Sequence, residues 1–298
     1  MNGLPRAPRS VPGDDLAALP HATWRLLDTG WADGATNMAI DEAIMLAVAA
    51  GKAPSTLRFY GWRPPCVSIG YAQSLSQEVD LDACRRYGYS WVRRPTGGRA
   101  VLHIDELTYS VIAPLGEPRV TGDILTSYRR LSRGLVIGLG LLGCDVEQAD
   151  PTPTRTESAS AACFDVPSAY EILASGRKLV GSAQARRRRV ILQHGAIPLE
   201  GDVARIGDVL VLSEPARQTL RRELRSKAVT LESALGRRAS FQECAEVLSV
   251  GFMQALNLTL ERGELVPDER VAVELLREKH LRQGWLFDKR TPTRQVTG

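Results

Sequence analysis

Lysine is scarce in this chain: five of its 38 basic residues, Lys52, Lys178, Lys227, Lys279 and Lys289, carry an ammonium, and the rest are arginine. Where such a chain keeps a lysine inside an apolar, glycine-flanked strand, a compact ammonium of tunable pKa is wanted in place of a guanidinium fork. Lys178, in Arg177-Lys178-Leu179-Val180-Gly181, has that setting. Long apolar runs are missing as well. The longest, residues 43–50 and 135–142, fall far short of the ~20 residues that span a bilayer, so no membrane role is expected. The first twenty residues have prolines and charges but no apolar centre, which excludes a signal peptide and reads as a loose tail of a cytoplasmic protein. Net charge is only +4 over 38 basic and 34 acidic side chains, so there is no nucleic-acid footprint. One local exception is Arg186, Arg187, Arg188 and Arg189, which read either as a solvated hairpin turn or as an attractor for an acidic partner or a phosphate.

Paired cysteines are absent too. Cys66, Cys84, Cys144, Cys163 and Cys244 are scattered without CxxC spacing, which argues against a zinc site and a disulfide framework. No two histidines or cysteines fall at ligand spacing, so neither a metal nor a cofactor is expected. Ser-His-Asp and HExxH arrangements are also missing. His103 and His194 both lie in strand patterns, where each can orient a site or donate to a carbonyl.

What is present is a pattern of helix, many short strands and then helices. Thr36 or Asn37 is placed to cap a helix that carries Asp41 and Glu42 in its first turns. Strands are predicted at 56–60, 66–71, 91–94, 100–103 and 107–113, with a short helix at 81–87 and a longer one at 124–142. Three more strands follow at 170–173, 178–185 and 190–198. From Pro215 onward the chain reads as helical, with segments at 219–235, 241–256 and 268–281. Regular βαβ alternation is absent, so the expected class is α+β, with mixed or antiparallel sheets flanked by helices. The domain expectation is a tail (1–22), a catalytic domain (23–250) and a helical C-terminal extension packed on it (251–298).

Two stretches carry chemistry. In Arg93-Arg94-Pro95-Thr96-Gly97-Gly98-Arg99-Ala100-Val101-Leu102-His103 a strand enters a double-glycine turn and a second apolar run follows. Adjacent glycines permit positive φ and remove the Cβ atoms that block close approach, while arginines can meet a carboxylate or phosphate. Cys163 follows a polar loop and precedes the turn Phe164-Asp165-Val166-Pro167-Ser168, a placement at a cleft edge that suits a nucleophile. A free thiol titrates near ~8.5, and each unit of depression stabilises the thiolate by ~1.4 kcal/mol. Lys178, across one strand and a turn, can return to supply that shift. The other four cysteines read as small buried hydrophobes.

Taken together, Arg93 through His103, Lys178-Leu179-Val180-Gly181-Ser182-Ala183-Gln184 and Gln193-His194-Gly195 resemble the biotin/lipoate protein ligase superfamily. Ala162-Cys163-Phe164, Pro167-Ser168 and Tyr170-Glu171 resemble its LipM-type octanoyltransferases. The resemblance covers about residues 23 to 250. It implies transfer of octanoyl from octanoyl-acyl carrier protein to a lysine of the glycine cleavage system H protein, a step in lipoate biosynthesis. Cys163 would carry the acyl-thioester and Lys178 would lower its pKa. Arg94, Gly97, Gly98, His103, Gly181 and Ala183 would bind the substrate. Such an enzyme acts without a cofactor, as a cytoplasmic monomer. Three readings stay open beside it: an ATP-dependent lipoate-protein ligase, an octanoyl amidotransferase between lipoyl domains, and a catalytically silent module that docks carrier proteins through its arginines.

Overall fold

The structure, a computed structural model, describes residues 19–149 and 171–286, the side chains of 283–286 excepted. Its frame is an eight-stranded sheet built from β1 (Ala22–Ala32), β2 (Thr56–Trp62), β6 (Glu106–Pro114), β7 (Val146–Gln148), β8 (Ile172–Ala174), β9 (Arg177–Arg187), β10 (Val190–Pro198) and β11 (Leu258–Arg262). The strand order is β11-β1-β2-β6-β10-β9-β8-β7. β1 runs parallel to both β11 and β2, and the remaining pairs are antiparallel. A three-stranded sheet of β3 (Cys66–Ile69), β4 (Ser90–Arg93) and β5 (Val101–His103), with α2 (Leu75–Glu78) and α3 (Leu81–Tyr87) between β3 and β4, has the order β4-β3-β5. Mixed sheets and flanking helices make this an α+β architecture.

The large sheet is apolar on both faces because helices cover both. Leu57, Phe59, Leu107, Tyr109 and Val111 face a cluster that includes Leu131 and Leu135 of α4 (Ile124–Leu141) and Leu248 and Phe252 of α7 (Phe241–Leu256). α4 and α7 meet almost backbone to backbone. A Cβ on Gly138 would come 2.8 Å from Leu248 Cα, so glycine is required at that crossing. The opposite face carries α1 (Gly34–Ala49), whose Ala39, Ile40, Ala43 and Ile44 pack with Leu27, Ile112 and Leu192. Such a helix, buried on most sides, lacks the one-sided apolar stripe of a surface helix.

Several sequence expectations need correction. Asp33, not Thr36 or Asn37, caps α1, because its carboxylate accepts from Thr36 N at 2.8 Å. Asp41 and Glu42 consequently lie beyond the first turn and are used for ion pairs instead of dipole neutralisation. β1 was not expected as a strand, and its register shift between Asp28 and Trp31 breaks the alternation that reveals strands. The helix expected over 219–235 is two, α5 (Glu214–Lys227) and α6 (Leu231–Leu235). Between them Val229 N donates to Lys178 O at 3.0 Å, and Thr230 caps α6.

Nor is the chain wholly helical beyond Pro215. β11 forms an edge of the main sheet, and position 250 falls inside α7. The last described helix, α8 (Pro267–Leu286), is tied back by a buried Arg25–Glu269 pair at 2.6 Å and by Lys279 and His280 on Glu42. No helix among the described residues is long and apolar enough to cross a membrane.

β9 and β10 are joined by the two residues Arg188 and Arg189, both left-handed at φ 53° and 61°. That is a type I′ hairpin turn, whose usual occupants are Asn and Gly. Left-handed backbone costs an ordinary L-residue about 1 to 2 kcal/mol.

Candidate active site

The two sheets border a narrow pocket, open to solvent on one side, whose exposed lining is almost entirely apolar. One wall is Met38 of α1 with Tyr60, Trp62 and Thr108; the floor is the β9–β10 pair, Gly181 to Ala183 against His194 to Ala196; the third side is Ser68, Val101 and His103 of the small sheet with Arg94, the first residue after β4. Small residues on β9 and β10 leave the space open. At Gly195 the chain has no alternative, since a Cβ would meet the Ser182 hydroxyl and lie 2.6 Å from Tyr109 Cε1.

Trp62 is the largest side chain lining the pocket, and a chain of polar contacts fixes it. Arg94 Nη1 donates to Ser68 Oγ at 3.0 Å, and Ser68 meets His103 Nε2 at 2.7 Å. His103 Nδ1 contacts Glu106 Oε1 at 2.7 Å, Thr108 donates to the same oxygen at 2.5 Å, and Trp62 Nε1 donates to Thr108 at 2.8 Å. His103 also stacks on the Trp62 indole with centroids 4.0 Å apart. Both rings are therefore held rigidly, and His103 shapes the pocket without leaving a ring nitrogen for proton transfer.

A second network lies behind His194. Asp41 is fully buried and accepts from Arg58 Nη1 at 2.7 Å, Ser110 Oγ at 2.9 Å and Tyr60 OH at 3.0 Å. Burial alone would raise its pKa, but the Arg58 charge and the His194 contact outweigh it and hold the carboxyl below its ordinary range. His194 Nδ1 lies 3.7 Å from Asp41, and Nε2 is 2.7 Å from the Thr96 hydroxyl. Burial lowers the His194 pKa against the opposing pull of Asp41. A neutral imidazole thus joins a helix carboxylate to the glycine-rich loop.

That loop is no hairpin. β4 and β5 flank β3 without pairing to each other, so residues 94–100 arch over the end of β3. Tyr71 N donates to Thr96 O at 3.0 Å, and a Cβ on Gly70 would collide with the Gly98 carbonyl. Gly98 takes φ 91°, which explains a glycine there. Arg94 is engaged by the loop itself, donating to Ser68 O at 3.0 Å, Gly97 O at 2.8 Å and Arg99 O at 2.7 Å. Arg93 holds the carbonyls of Gly70, Tyr71 and Gln73. Neither guanidinium has the open fork first expected to meet a carboxylate or phosphate; both shape the backbone. Arg94, His103, Gly181 and Ala183 line the pocket, whereas Gly97 and Gly98 are not among its described lining residues.

Lys178 is the second residue of β9, three residues before Gly181, and is buried at 5% exposure. Its ammonium donates to Glu171 Oε1, itself 2% exposed. Cys163 lies outside the described residues. The other four cysteines are all buried, and burial pushes their thiols up to about 12 for Cys66 and Cys244 and about 11 for Cys84 and Cys144. None of the four is a nucleophile at neutral pH. Sequence patterns missed Asp41, Arg58, Thr96 and Trp62 as parts of the site, and Glu171 as the partner of Lys178.

Residues 33–253 match the family model described as the lipoyl protein ligase A/B catalytic domain. The chain is 48% identical over 272 residues to Octanoyltransferase LipM of Kyrpidia tusciae, an alignment covering 90% of this chain and 99% of that protein. It is likewise 48% identical to Octanoyltransferase LipM of Symbiobacterium thermophilum, over 89% of this chain and 98% of that one. Among solved structures, the bipartite lipoate protein ligase of Thermoplasma acidophilum, from an archaeal lipoylation system with an E2 lipoyl domain, superposes with a TM-score of 0.74 at 25% identity. That superposition covers 87% of this chain and 93% of the ligase chain.

Proposed function

The chain belongs to the lipoyl protein ligase A/B catalytic domain family, and from that premise we propose that it is an octanoyltransferase of lipoate biosynthesis that works through a thioester on Cys163. The observation that carries this reading is the apolar pocket between the sheets, with Lys178 on the strand that forms its floor. Burying about seven carbons at roughly 0.8 kcal/mol each yields about 5 to 6 kcal/mol gross, enough to recruit an octanoyl chain. The donor is octanoyl-acyl carrier protein. The acceptor is a lipoyl domain, foremost the glycine cleavage system H protein, and the setting is cytoplasmic.

Chemistry follows from the residues. The Cys163 thiolate attacks the donor carbonyl, a new C–S bond forms, and the carrier thiol leaves and takes up a proton. The neutral amine of the acceptor lysine then attacks the enzyme thioester, an amide C–N bond forms, Cys163 leaves as thiolate and the nitrogen loses its proton. Both steps start from a thioester, so no adenylate is needed. The Lys178 ammonium, positioned by Glu171, stabilises the thiolate in both steps. His194, backed by Asp41, positions Thr96 and with it the loop beside the pocket. Curated relatives named as octanoyltransferases favour this over the ATP-dependent ligase.

An acceptor-octanoylation assay with two donor systems tests the reading. Transfer from octanoyl-acyl carrier protein without ATP is the expected result; transfer only from octanoate plus ATP would make the protein a ligase.

A further inference from the structure

The arginine run that remained ambiguous in the sequence forms the tip of the β9–β10 hairpin. Arg186 is anchored there, donating to Gly122 O and Asp123 O, each at 2.7 Å, at the start of α4. Arg187, Arg188 and Arg189 are exposed, and no ion pair to their guanidinium groups occurs among the described residues. Several other exposed arginines are matched with carboxylates, as Arg85 with Asp82, Arg225 with Asp202, Arg237 with Glu243 and Arg270 with Glu264, while Arg63, Arg86, Arg222 and Arg262 stand singly; only at the tip do three such arginines adjoin in sequence. The tip thus concentrates uncompensated charge on two residues whose backbone would suit Asn and Gly better. Backbone strain held at a surface turn is characteristic of functional positions.

The tip is also tied to the pocket. Arg187 donates to Pro95 O at 3.0 Å, next to the Thr96 that bonds His194, and lies 5.9 Å from the ring of Tyr71, which is 57% exposed. From pocket-lining Ala183 to Arg187 is four strand residues, roughly 13 Å. That separation suits a donor whose acyl group reaches the pocket on an extended flexible arm, while its protein body rests on the tip. A lysine side chain is too short for such an offset.

We propose that Arg187, Arg188 and Arg189, with Tyr71, form the docking surface for the acidic carrier protein that delivers the acyl chain. This rests on octanoyl transfer as the function and names the donor's footprint within it. The nearby Asp123 carboxylate is occupied as the cap of α4. Rim charges of this kind act on encounter and salt dependence more than on the chemical step.

Two measurements on the full-length protein decide it. In the first, fluorescently labelled octanoyl-acyl carrier protein is titrated into wild type, Arg188→Glu/Arg189→Glu and Arg188→Asn/Arg189→Gly. The charge reversal is expected to raise Kd about ten-fold and flatten its salt dependence. The Asn-Gly turn is expected to weaken binding less while raising Tm, since it removes charge and left-handed strain together. In the second, transfer is followed from the carrier and from octanoyl-pantetheine, and KM is expected to rise for the carrier alone. Unchanged carrier Kd in both variants would overturn the proposal, as would an equal KM rise for the small thioester or an effect confined to the acceptor protein. A wild-type enzyme that transfers from neither donor would refute octanoyl transfer, while the binding titration would still decide the docking surface.

Discussion

Lys178 and Glu171 form a buried pair, and its charges set what a thiol beside it experiences. Removing the ammonium by Lys178→Ala is expected to raise the apparent pKa of Cys163 by about one unit, worth ~1.4 kcal/mol. Glu171→Gln removes the compensating carboxylate and should lower it. Alkylation rate against pH reads both, because the four other thiols are held too high to compete. An unchanged profile in Lys178→Ala would remove the lysine from thiol activation. Behind the pocket, His194 titrates below its ordinary 6.5 through burial. Between that folded value and 6.5 the unfolded chain binds more protons at this site than the folded protein. Its share of stability is therefore complete above 6.5 and declines as pH falls through that window. Asp41, held below 3.8, loses its contribution only under more acidic conditions. Thermal melts should show Tm falling as pH drops below 6.5, with a shallower fall in His194→Gln; parallel slopes would show that His194 is not the group responsible. The network behind His194 was not legible in the sequence. Asp41 reads as a helix acid and Arg58 as an ordinary strand cation, and only the packing of α1 on β2 brings their charges to 2.7 Å.

At the scale of elements, the β3–β4–β5 sheet and the β9–β10 pair border the pocket proposed to hold the acyl chain, and Trp62 at the end of β2 lines it. Trp62→Ala is expected to shift chain-length preference upward. Two extra methylenes of a decanoyl donor become worth about 1.6 kcal/mol, or about fifteen-fold in kcat/KM relative to octanoyl. Competition between octanoyl and decanoyl carrier protein measures the shift, and an unaltered ratio would mean that Trp62 does not limit the chain. Of the paired glycines Gly98 was legible in advance, because at φ 91° it has few substitutes, whereas Gly97 has neither positive φ nor a neighbour within 4 Å of an added Cβ. The function of the neighbouring arginines was not, since a guanidinium facing a ligand and one facing backbone carbonyls are written with the same letters. Arg94 proved to hold Ser68, Gly97 and Arg99.

Across the whole molecule, α+β class followed from short alternating strands and late helices, and the long apolar strands β6 and β10 stand where alternation placed them. β11 was hidden because five residues flanked by helices carry little period, yet it closes one edge of the sheet beside β1. Glu269, fully buried against Arg25, likewise ties the segment beyond 250 to the first strand. The pocket and Lys178 thus belong to a frame assembled from both ends of the described chain. In the proposed reaction this frame serves a thioester on one cysteine. Intact and peptide mass spectrometry after incubation with octanoyl-acyl carrier protein, without ATP or acceptor, tests that most directly. One octanoyl group on Cys163, absent in Cys163→Ala together with transfer to the acceptor, is the expected result; a Cys163→Ala enzyme that still transfers octanoyl would contradict it.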